Sequence, residues 1–69
     1  MFEKRPFLFV GGVTPETETP VGFNVLDPEG KEVAQILRDG NKWRVQFKGD
    51  YHSGEARFNS SDEAFASLN

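Results

Sequence analysis

The chain has 69 residues, a net charge of −3 and no cysteine. That length allows one domain, spanning 1–69, and the missing thiols exclude a disulfide framework and any cysteine-based zinc site. No apolar run reaches the ~18 residues of a membrane span and no secretory core opens the chain, so the expectation is a cytoplasmic protein with no membrane partner.

Nine of the residues are aromatic: seven Phe, one Trp and one Tyr. They must supply much of the core, because a domain this small buries only roughly 60% of the surface its unfolded chain exposes. Charge is unevenly spread, with residues 38–58 mildly basic between acidic flanks. A dedicated nucleic-acid binder usually carries a stronger positive bias, since phosphate contacts dominate its affinity.

In chain order, residues 1–6 read as a short charged lead-in. Phe7, Leu8, Phe9 and Val10 are apolar on both faces, which predicts a short buried strand ended by Gly11 and Gly12. Residues 11–20 hold two prolines, three threonines and two glutamates. With so little to bury, they are expected to form a mobile acidic Pro/Thr loop. Val21, Phe23 and Val25 then alternate on one face of a strand that ends at Leu26. The sequence Asp27-Pro28-Glu29-Gly30 is a strong turn signal: Asp accepts a local backbone hydrogen bond, Pro presets φ, and Gly supplies φ > 0. The return strand over 31–38 is blurred, because Val33 and Leu37 oppose Ala34 and Ile36. That pattern implies cover on both faces, or a bulge.

Asp39-Gly40-Asn41 is a second hairpin signal. It leads into the cleanest stretch of the chain, residues 42–48, where Trp43, Val45 and Phe47 alternate with Lys42, Arg44, Gln46 and Lys48. Such alternation predicts a half-buried strand with an aromatic inner face and a basic outer one. A short strand is expected over 55–58, with Ala56 and Phe58 facing inward. Ser60 stands three residues before Glu63, the spacing of a capping box. A helix of about eight residues should follow, docking Ala64, Phe65 and Leu68 on Trp43, Val45, Phe47 and Phe58. The predicted fold class is therefore α+β: an antiparallel β-meander of four to five strands packed against one short C-terminal helix.

Chemistry is sparse. Asp50, His52 and Ser53 share one loop, but sequence neighbours seldom reach opposite nitrogens of one imidazole, so a triad is not expected there. The single His and scattered carboxylates lack metal-ligand spacing, and Gly11-Gly12 lacks the ending of a phosphate-binding loop. Asn59-Ser60-Ser61 matches a glycosylation acceptor, though the cap explains the serine better. The expectation is a non-enzyme with no cofactor and no metal.

The most suggestive feature is the row Lys42, Arg44, Gln46 and Lys48. Alternate strand residues lie roughly 6.6 Å apart, so three cations would line one face. Such a row suits an acidic protein patch or a phosphate backbone; it also suits a strand that simply keeps its outer face soluble. Gly40, Trp43, Val45 and Phe47, then Phe58, then Ser60-Ser61-Asp62-Glu63-Ala64 resemble the three-strands-plus-helix pattern of AP2-type DNA-binding domains and the related phage-integrase N-terminal domains. The resemblance covers residues 33–68. It implies strands laid in a DNA groove, with Arg38, Lys42, Arg44, Lys48 and Arg57 as contacts.

The leading expectation is a small non-catalytic interaction protein that binds and modulates a macromolecular partner, most simply another protein, in the format of phage- or plasmid-encoded inhibitors. Its contact residues would be Arg38, Lys42, Arg44, Gln46, Lys48 and Arg57, with an exposed edge strand or the acidic loop as other surfaces. Homo-oligomerisation through an edge strand is a further option. The second reading is a nucleic-acid-binding β-sheet domain that uses the basic strand face.

Overall fold

Four strands and one helix carry the structure, a computed structural model that describes residues 1–49 and 56–68. The strands are β1 (Glu3–Val10), β2 (Thr19–Leu26), β3 (Glu32–Asp39) and β4 (Lys42–Phe47), and the helix is α1 (Ser61–Ala66). They form one antiparallel sheet in the order β1-β2-β3-β4, as consecutive short connections require. The helix lies across one face and leaves the other open.

The core is centred on β2 and β3. Val25 and Ile36 are fully buried, and Phe23, Ala34, Val45 and Ala64 complete the cluster. Val21, Phe23 and Val25 do share one face, as their alternation predicts. The blurred pattern of β3 is explained by a register shift. Val25 pairs with Ala34 but Leu26 pairs with Glu32, which leaves Val33 as an extra residue in β3. The Val33 carbonyl instead accepts from the Lys48 backbone N–H at 3.0 Å.

Both tight turns form as their residues dictate. The Asp27 carboxylate accepts from the backbone N–H of Glu29 and of Lys31, each at 2.9 Å, and Gly30 sits at φ 86°. Between β3 and β4 only Gly40 and Asn41 are left unpaired. Gly40 takes φ 64° at the first central position, the place a type II′ turn reserves for glycine.

Four expectations need correction. The charged lead-in is not separate: Glu3, Lys4, Arg5 and Pro6 pair with β2 as the first half of β1. Lys4 can join the inner face because its aliphatic stem packs there while its ammonium leaves for the surface. Phe7, Leu8, Phe9 and Val10 are not buried. They lie on an edge strand and are 41–51% exposed. The 11–20 segment is partly ordered into a 3-10 turn at Pro15–Thr17, and Thr19 and Pro20 belong to β2. The expected strand over 55–58 reduces to one bridge, Trp43 with Phe58, through two backbone hydrogen bonds of 2.8 and 2.9 Å. Glu55 itself lies outside the described residues.

The helix is six residues long, shorter than expected, and its packing also differs. Ser60 caps it, its hydroxyl accepting from the Glu63 N–H at 3.1 Å, while Glu63 reaches back to the N–H of Asn59 rather than to that of Ser60. Ala64 is the buried anchor, against β3 and β4, with Phe65 and Leu68 at the margin of the core. Phe47 is half-exposed and lies outside the core cluster. A short helix needs this docking, since six residues cannot hold themselves in water.

Candidate functional site

Two surfaces compete for a contact role: the basic row on β4 and the apolar edge on β1. The row forms where the alternation places it. Gln46 pairs with Gln35, Arg44 with Leu37 and Lys42 with Asp39, all on the face opposite α1. Lys48 follows directly after β4 and is exposed.

The six residues read from the sequence do not form one patch. Arg38 pairs with Trp43 and shares the parity of Ile36, which puts it on the helix side of the sheet. It folds back on its own turn, donating from Nε to the Gly40 carbonyl at 3.0 Å. Arg57 donates to Asp39 at 3.1 Å. Lys42 hydrogen-bonds to the Asn59 side chain, and Arg44 donates to Gln46 at 3.2 Å. Asp39 stands beside Lys42, and a shallow cleft of about 260 Å³ next to Lys48 is lined by Glu32 as well as Gln46. Charge here is mixed and largely engaged within the chain, so the row is a weaker electrostatic feature than its sequence implies.

An amide row lies inside the same open face, and sequence alternation did not single it out. Register aligns Arg5, Asn24, Gln35 and Gln46 across all four strands, with Gln35 donating to Asn24 at 3.3 Å. Strand pairing alone creates this row, and no local signal in the chain announces it.

The β1 edge has the opposite character. Its first half is guarded by Glu3, Lys4 and Arg5, and Pro6 contributes no N–H. The half beyond Pro6 carries only Phe7, Leu8, Phe9 and Val10, and among the described residues this strand pairs with β2 alone. Its position is fixed by Gly22. A Cβ there would lie 2.9 Å from the Leu8 Cβ and 3.1 Å from the Phe7 ring, so only glycine lets β1 approach so closely. These four residues were expected in a core. Composition alone does not separate a buried strand from an edge strand, and chain order in the sheet decides it.

Asp50, His52 and Ser53 lie outside the described residues. Among those described, no group of three or more His, Cys, Asp or Glu residues is placed to hold a metal ion. No helix among them is long and apolar enough to cross a membrane. The Glu16 carboxylate is held below its ordinary pKa by hydrogen bonds, first from the backbone and then from the Thr14 side chain. That is the local chemistry of the 3-10 turn and marks no reactive site. The chain matches no family model, no curated protein and no solved structure.

Proposed function

We propose that this chain is a non-catalytic interaction module that binds another protein through the free edge of β1. The observation that carries this reading is the run of four consecutive apolar residues, Phe7, Leu8, Phe9 and Val10, left 41–51% exposed on a strand with one open side. Exposed apolar residues scattered singly are ordinary; contiguous ones along unpaired backbone are a site for strand addition. In that mode the main chain supplies hydrogen bonds and alternate side chains supply selectivity.

The experiment compares two variants of the full chain in capture from its native host. Phe7→Asp with Phe9→Asp is expected to lose the captured protein while keeping the wild-type circular dichroism. Lys42→Glu with Arg44→Glu and Lys48→Glu is expected to retain it. The reverse pattern would overturn the reading and return the contact to the basic row.

A second reading is favoured by the amide row. Asn24, Gln35 and Gln46, flanked by Arg5 and Arg44, offer donors and acceptors of the kind that read base edges. A β-sheet nucleic-acid binder of the AP2-like type would use them together with Lys42 and Lys48. Such binding must weaken steeply with salt. Titration of duplex and single-stranded DNA at low salt tests it, and an absence of affinity there rejects it.

A further inference from the structure

We infer that the β1 edge is self-complementary and that its first occupant is β1 of a second copy, giving a weak two-fold dimer with one continuous eight-stranded sheet. This rests on the reading that β1 is a contact edge and names the partner. The run is symmetric about Leu8: Phe7-Leu8-Phe9. An antiparallel pairing with the two-fold axis at Leu8 sets Phe7 opposite Phe9 of the second copy, and Phe9 opposite its Phe7. Directly opposed aromatic residues are among the favourable cross-strand pairs.

The same alignment solves the charge problem. Arg5, Lys4 and Glu3 fall opposite Gly11, Gly12 and Val13 of the second copy, so no charge meets its like. An alignment centred on Lys4 would instead oppose two lysines and bring Pro6 into the ladder. Only the Leu8-centred pairing covers the exposed apolar run and leaves the guarded half outside. The interface is isologous, so it closes at two copies.

Size sets the strength. Each half-exposed ring offers about 100 Å², with somewhat less from Leu8 and Val10, or roughly 700 Å² across two copies before backbone is counted. That is well below the roughly 1,200 Å² of a standard stable interface. The dimer is therefore reversible and concentration-dependent.

Sedimentation of the full chain over a dilution series tests this. The mass should rise with concentration towards twice the 7.8 kDa of one chain. Leu8→Lys sets two like charges across the axis and should weaken association at least ~10-fold. Because Leu8 is 47% exposed, that variant should keep the wild-type thermal transition.

A cysteine-free chain allows a second, register-specific test. Leu8→Cys places two thiols face to face at the axis and should crosslink rapidly under mild oxidation. Val10→Cys places them roughly 14 Å apart along the strands and should not. Mass that stays at one chain throughout, with no preference for position 8, overturns the dimer. In that case loss of a captured protein by Phe7→Asp with Phe9→Asp would still support the contact edge. A dimer together with capture that survives those substitutions would reject the contact reading and leave the dimer standing.

Discussion

Lys4 stands 2.6 Å from Asp62, its Nζ against Oδ1, and joins the first strand to the first turn of the only helix across 58 residues of sequence. The same ammonium lies 4.7 Å from the centroid of Phe23 and 5.8 Å from that of Phe65. The two partners are unequal, because the lysine side chain is 18% exposed and the aspartate 90%. Lys4 works mainly through its stem and its rings, and Asp62 adds a screened surface charge.

Removing each partner should expose that difference. Lys4→Ala is expected to cost about 1–2 kcal/mol through lost packing and cation–π attraction. Asp62→Asn should cost less than about 0.5 kcal/mol, as exposed ion pairs do. Urea denaturation followed by the single tryptophan reads both. Equal losses would mean that the ion pair, not the packing, ties β1 to α1.

Gly22 should tolerate no side chain. Gly22→Ala puts a Cβ against Leu8 and Phe7, and shifting β1 to make room should cost about 1–3 kcal/mol. Amide exchange should show β1 opening first. A variant as stable as wild type would mean that β1 is not seated as described.

The helix cap is a local test of a non-local structure. Ser60→Ala leaves the Glu63 N–H without its acceptor and should cost about 1 kcal/mol. Because α1 is too short to survive undocked, the loss should appear as a red shift of Trp43 emission as well as a lower melting point. No change in either would mean that the helix docks without its cap.

Glu16 provides a pH test of the 3-10 turn. Its carboxyl titrates below the ordinary value of 4.5 in the folded chain, through a backbone hydrogen bond and the Thr14 side chain. A depressed folded-state pKa adds stability above the unfolded value, and that stability is lost as pH falls through the folded one. NMR titration should show the lowered midpoint, and Thr14→Val should raise it towards 4.5. A wild-type midpoint already at 4.5 would mean that the turn does not hold in solution.

Much of the fold is legible in the chain because its causes are local. The alternation of Val21, Phe23 and Val25, the Asp27 and Gly40 turns and the Ser60 cap each lie within a few residues. What escapes is set by distant partners. Lys4 counts as a surface residue by its charge, yet it occupies an inner position because Phe23 and Asp62 receive its two ends. The Trp43 strand has the cleanest pattern but lies at an edge, while the core centres on Val25 and Ile36. The site divides in the same way. Alternation forms the row on β4, but the bonds from Arg57 to Asp39 and from Lys42 to Asn59 bind up part of its charge.

The most direct measurement is amide hydrogen exchange on the full chain, free and in complex with the protein it captures. Protection should appear at residues 7–10 of β1 and leave β4 unchanged. Protection gained instead at Lys42–Phe47, with residues 7–10 still exchanging freely, would contradict the proposed contact edge.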